Sequence, residues 1–350
     1  MSERLFKINI PPSMKFLPKD YDGYVVISDI DKTYLVTQID SLGGLIRAAL
    51  EAPERKLNVP GFGILLRALR RGAALEASKT PIVFLSASPP QMREKLLAKM
   101  ELDGVEHNGI ILKNQLQHVR NAEFKRLTEQ IGYKLSALLS LWEHLPPKAK
   151  LILFGDDSEK DPVIFSLFSE ILSKNIFGRK LYQLLSYLNV YREDALKIGW
   201  FSRNVRKNSE AICATFINMV SGNNPHHYRK LSQDIYPTEN TLQTAFVLFE
   251  HGLIRARAVK SIAKDLIYNH DFEVNELYQS LVEAESRGYF SQETLKTLTT
   301  LLIKESLLPA DKKTNENVES AESFIPREWY RGPHIQKSLY ELKLQYTDEL

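Results

Sequence analysis

The chain has 350 residues, of which 43% are hydrophobic and 25% are charged, and these ordinary values exclude a largely disordered or fibrous protein. The 46 basic and 43 acidic residues leave a net charge of +3, which is too balanced to predict nucleic-acid binding over the whole surface. The single cysteine, Cys213, excludes a disulfide framework and a zinc site built on several thiolates. The length favours about two domains, although one large α/β domain with additions also fits.

Three short apolar runs, at residues 24–27, 82–85 and 151–154, each end in small polar residues. Such runs, separated by stretches with helical periodicity, are typical of buried parallel strands. Weaker strands are predicted at residues 109–113 and 196–201. The intervening helices are predicted at residues 42–50, 63–71, 90–100 and 124–145. Because strands and helices alternate, we expect an α/β fold, a doubly wound parallel sheet with helices on both faces.

Beyond residue 208 the pattern is helical, with Asn223 to Pro225 and Pro237 as a linker. These helices are predicted at residues 209–220, 239–251, 255–268, 273–287 and 292–306. The stretch 310–323 is polar and poor in aliphatic residues, which is typical of a mobile segment. We therefore expect three parts: a first domain over residues 1–207 with a small insert at about 34–80, an all-α domain over 208–308, and a polar, partly mobile tail over 309–350.

Polar side chains follow the three strongest strands where they end. Asp29 and Asp31 follow the first run, Ser86 the second and Asp156 the third. The carboxyl ends of parallel strands meet at one edge of the sheet, where α/β proteins bind ligands. There a carboxylate can attack phosphorus if Mg²⁺ screens the repulsion, and a second carboxylate can act as general acid and base. Alone, an Asp-x-Asp pair is weak, because glycosyltransferases use a similar pair to hold a metal–nucleotide.

The other candidates each have an ordinary structural explanation as well as a chemical one. Ser86 can bind a phosphoryl oxygen, but a Ser-x-Ser-Pro segment more often caps a helix. Asp156 can complete an oxygen-rich Mg²⁺ site after a tight turn at Gly155. Asp161 precedes a proline and also fits a helix N-cap. Lys134, on the helix before the third strand, can offset phosphoryl charge, although a helix lysine is usually solvated.

Together these residues form an ordered set that resembles the phosphatases of the haloacid dehalogenase (HAD) superfamily. Within that superfamily the sequence resembles the actin-patch phosphatidate phosphatase family, relatives of the lipins, over roughly residues 22–203. The resemblance is carried by six segments: SDIDKT (28–33), NVPGFGILLRAL (58–69), FLSASP (84–89), DGVEHNGIILK (103–113), KLSALLSLWEHLP (134–146) and FGDDSEKDP (154–162). It implies a HAD-like phosphatase domain in which the insert at 34–80 is a small cap.

The resemblance implies a role for each residue of the set. Asp29 would be the nucleophile that forms an aspartyl-phosphate, and Asp31 would be the general acid and base. Ser86 and Lys134 would hold the phosphoryl oxygens. Thr33 would steady the loop after the first strand.

The resemblance also implies a Mg²⁺ site. Its ligands would be Asp29, the backbone carbonyl of Asp31, and Asp156, with Asp161 in support. The sequence departs from the family pattern at two positions, since Lys32 stands where the family usually has aspartate and Asp157 where it has serine. Asp157 could strengthen metal binding, and Lys32 could attract an anionic substrate or extend into solvent.

The function that the resemblance implies is Mg²⁺-dependent hydrolysis of a phosphate monoester, with phosphatidate as one candidate. A short insert favours an open site, which suits macromolecular or membrane-bound phosphates. The expected partner is a phosphorylated substrate, which could be a lipid, a small molecule or a protein. Basic amphipathic stretches at 63–71 and 253–264 could contact an anionic membrane, although a core-facing helix with a solvated basic edge is the more ordinary explanation. Because residues 1–16 lack a signal-peptide pattern and no stretch approaches ~18 uninterrupted apolar residues, we expect a cytoplasmic protein, with peripheral membrane association left open.

Two other functions are alternatives. The chain could be a binding protein on an inherited phosphatase scaffold, whose helical C-terminal half docks a partner. The intact acidic set argues against this, since a decayed site tends to lose Asp29 or Asp31 first. It could also be a glycosyltransferase that uses these two carboxylates for a metal–nucleotide, but the Gly-Asp-Asp turn and Lys134 would then have no role.

Overall fold

The structure is a computed structural model that describes residues 10–36, 51–113, 122–229, 231–232 and 234–309. The described residues form two compact units. The first comprises the described parts of residues 1–59 and 80–237, and the second comprises those of residues 60–79 and 238–334. The helix predicted at 42–50 and the tail predicted beyond residue 309 lie outside the described residues.

Six strands form one sheet: β1 Tyr24–Ser28, β2 Ile82–Ser86, β3 Gly109–Leu112, β4 Lys150–Asp156, β5 Ile212–Asn218 and β6 Ile235–Thr238. Their order across the sheet is β3-β2-β1-β4-β5-β6. Four neighbouring pairs, β1 with β2, β1 with β4, β2 with β3 and β4 with β5, are parallel. The winding reverses between β1 and β4, and such a switch point is where doubly wound sheets bind ligands. The predicted α/β class is therefore confirmed.

The register aligns the polar residues that end the central strands. Ser28 pairs with Phe84 of β2 and with Phe154 of β4. All five residues of β2 and six of the seven residues of β4 are buried, as expected for strands covered on both faces. Asp29, Ser86 and Asp156 therefore emerge at the same edge of the sheet.

The described α-helices are α1 Phe62–Arg71, α2 Arg93–Leu102, α3 Ala122–His144, α4 Asp161–Leu172, α5 Gly178–Tyr187, α6 Arg192–Asn204, α7 Pro225–Arg229, α8 Thr241–Glu250, α9 Ala256–His270, α10 Val274–Ser286 and α11 Gln292–Lys304. Short 3-10 helices lie at Pro12–Phe16, Pro53–Arg55 and Pro90–Met92. In the first unit, α3 packs against α4 and α6, and its Trp142 is among the largest fully buried side chains. No helix in the described ranges combines the length and the apolar character needed to cross a bilayer.

The structure differs from the predictions between residues 196 and 220. The strand predicted at 196–201 is part of α6, whose buried residues Ala195, Ile198 and Phe201 recur at helical spacing. The helix predicted at 209–220 is largely β5, a continuous buried run with β-branched residues. Since β5 and β6 follow residue 208, the sheet continues past the predicted end of the first domain at residue 207.

The second unit is helical and combines two separate stretches of the chain. The helix α1, which belongs to the predicted insert at 34–80, packs against α8 and α9. At its start Gly61 adopts a φ of +75°, and its N–H donates to Asp265 at 3.0 Å. The buried side of α1 follows helical spacing and includes Leu65, Leu66 and Leu69. Residues 60–79 therefore group with the C-terminal helices, whereas the sequence analysis placed them in a small insert of the first domain.

Candidate functional site

Four carboxylates meet where β1 and β4 end. Asp29 follows β1, Asp156 ends β4, Glu159 lies in the turn after β4, and Asp161 is the first residue of α4. One oxygen of each carboxylate lies within 4.8 Å of the corresponding oxygens of the other three. Asp29, Asp156 and Asp161 are buried, and Glu159 is half-buried. These four residues are called the acidic cluster below.

The ammonium group of Lys134 lies inside the acidic cluster. Its Nζ is 2.6 Å from Asp161 Oδ1, 2.7 Å from Glu159 Oε2 and 3.3 Å from Asp29 Oδ1. The residue is 1% exposed. Lys134 is therefore not exposed to solvent on the surface of its helix, which was the alternative left open by the sequence. Burial lowers the pKa of Lys134, but the surrounding carboxylates raise it more, and the net pKa lies well above the usual value. Lys134 therefore carries a positive charge throughout the physiological range.

Two side chains of helix α3 donate hydrogen bonds to the two carboxylate oxygens of Glu159. Gln130 lies one turn before Lys134, and residues four apart share one face of a helix. Gln130 Nε2 donates to Glu159 Oε1 at 2.9 Å, while Lys134 Nζ donates to Glu159 Oε2 at 2.7 Å. The turn after β4 is thereby fixed against α3.

Some carboxylate oxygens of the cluster have no hydrogen-bond donor. Within the described part of the chain, both oxygens of Asp29 and Oδ2 of Asp156 are buried and accept no hydrogen bond. By contrast, Asp156 Oδ1 accepts from the N–H of Ser158 at 2.7 Å, from its hydroxyl at 2.5 Å, and from the N–H of Glu159 at 3.1 Å. Unsatisfied buried polar atoms are costly, and a cation that prefers oxygen ligands would satisfy them.

Burial and the repulsion between neighbouring carboxylates raise the pKa values of Asp29, Asp156 and Asp161. Burial, opposed by Lys134 and reinforced by Asp161, Glu159 and Asp31, raises the pKa of Asp29 well above its usual value. Burial, together with Asp161 and Glu159, raises the pKa of Asp156 to about 8. Burial also raises the pKa of Asp161 to about 6, although Lys134 lowers it. One lysine thus does not neutralise the cluster, and without a further cation part of it holds protons near neutral pH.

Asp31 is oriented by two hydroxyl groups. Its Oδ2 accepts from the Ser88 hydroxyl at 3.0 Å and from the Ser86 hydroxyl at 3.3 Å, and Ser86 Oγ in turn accepts from the Ser88 N–H at 3.0 Å. Neither serine caps the following helical turns, whose cap positions are Pro89 and Met92. The Ser-x-Ser-Pro segment therefore positions a carboxylate, which the sequence alone did not indicate for Ser88.

Backbone contacts of Lys32 fix the loop after β1. Lys32 adopts a left-handed φ of +55°, its N–H donates to the Leu35 carbonyl at 2.8 Å, and its carbonyl accepts from Asn218 Nδ2 at 2.8 Å. The hydroxyl of Thr33 is buried and makes no hydrogen bond to the described atoms. No hydrogen bond from the Thr33 side chain to the described atoms therefore supports its predicted role in steadying the loop.

Asp157 lies outside the acidic cluster. Its Oδ1 accepts from the N–H groups of Val220 at 2.7 Å and Ser221 at 2.9 Å, and its Oδ2 accepts from Asn223 Nδ2 at 3.2 Å. Both oxygens are thus used to join the loops that follow β4 and β5. In the structure this carboxylate joins two loops, whereas the sequence alone suggested that it could strengthen metal binding.

Gly155 makes room for Asp161. A Cβ atom at Gly155 would lie 2.5 Å from Asp161 Oδ2 and 2.6 Å from Asp161 Cβ. Gly155 lies within β4 and does not have a positive φ, so the expectation of a tight turn there is wrong. Asp161 does not act as an N-cap either, because Lys160 holds that position and the Asp161 carboxylate contacts Lys134.

The structure brings together Asp29 and Asp156, which the strand ends predicted to be close, and Lys134 and Asp161, which the family resemblance placed with them. Sequence reasoning missed Glu159 and Gln130, which complete the contacts of Lys134. Both had a usable signal. Glu159 stands between two candidate ligands of one short segment, and Gln130 stands at i−4 from the candidate lysine on the same helix.

Comparison with known protein families gives a match for this part of the chain. The family model described as “Phosphatidate phosphatase APP1, catalytic domain” matches residues 24–177, which confirms the predicted family resemblance for those residues. No curated protein matches the chain. A solved structure titled “Structure of Pnkp1/Rnl/Hen1 complex” is similar at 13% identity over 38% of this chain and 39% of that chain, with a TM-score of 0.28, which is too low to indicate a shared fold.

Replacement of Gly155 by alanine should displace Asp161. The added Cβ would overlap Asp161, and overpacking of this kind costs about 1–3 kcal/mol. We expect Gly155→Ala to lower the urea midpoint of unfolding and to weaken binding of a divalent cation, measured by calorimetric titration. Unchanged stability together with unchanged cation affinity would contradict the assigned role of Gly155.

Without metal, the protein should lose stability as the pH rises from about 6 to 8. Asp156 and Asp161 have folded-state pKa values of about 8 and 6, above the usual 3.8. The folded state therefore binds more protons than the unfolded state in this window, and folding weakens as those protons leave. Because a cation competes with the same protons, added Mg²⁺ should raise the thermal midpoint more at pH 8 than at pH 6.

Thermal unfolding in chelator and in Mg²⁺ at both pH values measures this effect. Asp156→Asn should abolish most of the Mg²⁺ shift, whereas the matched variant Asp157→Asn, outside the cluster, should retain it. A shift of equal size at both pH values, or one that survives in Asp156→Asn, would show that the cluster is not the cation site.

Proposed function

From the family match of residues 24–177 and the charge of the acidic cluster, we propose that the protein is a Mg²⁺-dependent phosphatase of the HAD type. In this proposal a phosphate monoester is hydrolysed through an aspartyl-phosphate formed on Asp29. The observation that carries the proposal is the state of Asp29, whose two buried oxygens accept no hydrogen bond from the described atoms. Lys134 forms an ion pair with Asp29 Oδ1 at 3.3 Å, but a carboxylate that accepts no hydrogen bond keeps lone pairs available for a cation and for phosphorus.

The acidic cluster fits Mg²⁺, a hard cation that prefers oxygen ligands. Lys134 already pairs with one oxygen of Asp161 and one of Glu159 at 2.6 and 2.7 Å. Asp29 and Asp156 retain buried oxygens that accept no hydrogen bond from the described atoms, although Lys134 also forms an ion pair with Asp29 Oδ1 at 3.3 Å. Asp29 and Asp156 are therefore the ligands that we propose, together with the backbone carbonyl of Asp31. A bound Mg²⁺ would offset the repulsion between a phosphate dianion and these carboxylates and would polarise the phosphoryl group.

The proposed first step is attack of the Asp29 carboxylate on phosphorus. A bond forms between an Asp29 oxygen and phosphorus, and the ester P–O bond breaks. The leaving oxygen takes the proton of the Asp31 carboxyl group, which the Ser86 and Ser88 hydroxyls orient at 3.3 and 3.0 Å. In the second step Asp31 removes a proton from water as the water attacks phosphorus, and Asp29 is released as a carboxylate.

Lys134 and Ser86 are the proposed phosphoryl-binding groups. Lys134 lies 3.3 Å from Asp29 Oδ1, so its charge acts on the atom that attacks and on the oxygens around the phosphorus. A preorganised charge in a buried site needs no reorganisation during the reaction. The same contact favours the ionised form of Asp29 that the attack requires.

Phosphatidate is the proposed substrate because the matched family model is that of a phosphatidate phosphatase catalytic domain. Its phosphate is a monoester at the surface of a bilayer. Other phosphorylated lipids, proteins and small molecules carry the same reacting group, so comparison of substrates decides among them.

Replacement of the nucleophile should abolish turnover. We expect Asp29→Asn to lower phosphate release by about ten-thousandfold or more, and Asp31→Asn to lower it by about a hundredfold to ten-thousandfold. Phosphate release is measured from an aryl phosphate and from phosphatidate in mixed micelles, with and without Mg²⁺. Asp157→Asn is the matched control, and it should retain activity when folded.

Two outcomes would overturn the proposal. Full activity in Asp29→Asn would exclude the aspartyl-phosphate route. Failure of the wild-type protein to release phosphate from any ester with Mg²⁺ present would favour a binding protein on a phosphatase scaffold.

A further inference from the structure

The segment of residues 72–79 that follows α1, called the arginine loop below, holds an apolar side chain in solvent. Leu75 is 92% exposed. The Arg71 guanidinium donates to the carbonyls of Ala74 at 2.9 Å, Leu75 at 2.5 Å and Glu76 at 2.9 Å. The backbone around Leu75 is therefore fixed, and this leucine does not turn inward to bury its side chain.

Further hydrogen bonds connect the arginine loop to the start of α9 and to the end of α1. Arg255, at the start of α9, donates from Nε to the Ala73 carbonyl at 2.8 Å and from Nη2 to the Ala74 carbonyl. The Ser78 N–H donates to the Arg71 carbonyl at 3.0 Å, and Gly72 provides the left-handed φ of +71° at which the chain leaves α1. The loop is thus an exposed segment of the second unit that hydrogen bonds hold in place.

The arginine loop is surrounded by positive charge. Arg70 donates to the Lys79 carbonyl at 3.0 Å, and the pKa of Arg255 is lowered by desolvation and then by the nearby charges of Arg71 and Arg257. The cationic side chains on α1, on the loop and at the start of α9 are Arg67, Arg70, Arg71, Lys79, Arg255 and Arg257, and the loop itself carries one acidic residue, Glu76. Grouped like charges repel one another, and an anionic partner relieves that repulsion.

We propose that the arginine loop docks the second unit on an anionic lipid bilayer. Leu75 would enter the interfacial layer, and the surrounding guanidinium groups would contact lipid phosphates. The exposed leucine favours a bilayer over a nucleic acid, because a nucleic-acid backbone offers phosphates but no apolar layer. This docking goes beyond the proposed hydrolysis and does not depend on it.

Vesicle sedimentation of the full chain tests the proposal. The probes are vesicles of phosphatidylcholine alone and of phosphatidylcholine mixed with phosphatidylserine, without Mg²⁺. We expect binding to the mixed vesicles only, with a loss of about tenfold in Leu75→Ser and about fivefold in Arg257→Gln. The matched controls Leu102→Ser and Arg192→Gln remove an exposed leucine and an exposed arginine of the first unit, and they should bind like the wild type.

The outcomes separate docking from hydrolysis. Equal binding to neutral vesicles, no binding to the mixed vesicles, or unchanged binding in Leu75→Ser would overturn the proposal. Loss in Arg257→Gln with none in Leu75→Ser would indicate a purely electrostatic contact with the vesicle surface, and would overturn the proposed insertion of Leu75. Release of phosphate from a soluble aryl phosphate should be the same in all four variants. If no phosphate were released from this substrate, that result would count against the proposed phosphatase activity and not against docking.

Discussion

The buried ammonium of Lys134 is the interaction on which the rest of the site depends. It contacts three carboxylates within 3.3 Å in a place where almost no water reaches it. Removal of one partner from such a buried group costs about 3–5 kcal/mol, because the remaining charges lose their compensation. Four carboxylates against one lysine nevertheless leave an excess of negative charge, and this excess is what a divalent cation can offset. This excess negative charge is unfavourable for folding at the edge of the sheet, so a bound divalent cation would also stabilise the fold there.

Elements that are distant in the sequence converge to build this arrangement. β1 and β4 are neighbours at the switch point of the sheet, so Asp29 and Asp156 leave adjacent strands. Helix α3 supplies Lys134, and the start of α4 supplies Asp161, which fits only because Gly155 has no side chain. Buried apolar strands on both sides hold these parts in place, and their burial offsets the cost of the charged centre. Rigid strands and helices thus fix the charges before any substrate arrives, as electrostatic catalysis requires.

Much of this could be predicted from the sequence, because it rests on local patterns. Short apolar runs that end in Asp29, Ser86 and Asp156 are enough to predict a parallel sheet and a polar edge. What could not be predicted depends on contacts between distant residues. The sequence suggested that Asp157 could strengthen metal binding, but its oxygens accept hydrogen bonds from the loop at residues 220–223. Glu159 and Gln130 matter only because α3 lies beside the turn after β4. The helix predicted at residues 209–220 is mostly strand β5. A strand that is buried on both faces of the sheet lacks the alternation of apolar and polar residues that distinguishes a strand from a helix.

Trapping the phosphorylated protein would test the role of Asp29 as nucleophile most directly. The protein would be mixed with substrate and Mg²⁺ and quenched in acid, and the modified peptide would then be identified by mass spectrometry. We expect a phosphoryl group on Asp29 of the wild-type protein, and more of it in Asp31→Asn because breakdown is slowed. We expect none without Mg²⁺ or in Asp29→Asn. Turnover of the substrate with the phosphoryl group on another residue, or with no phosphorylated protein in either the wild type or Asp31→Asn, would contradict this role of Asp29.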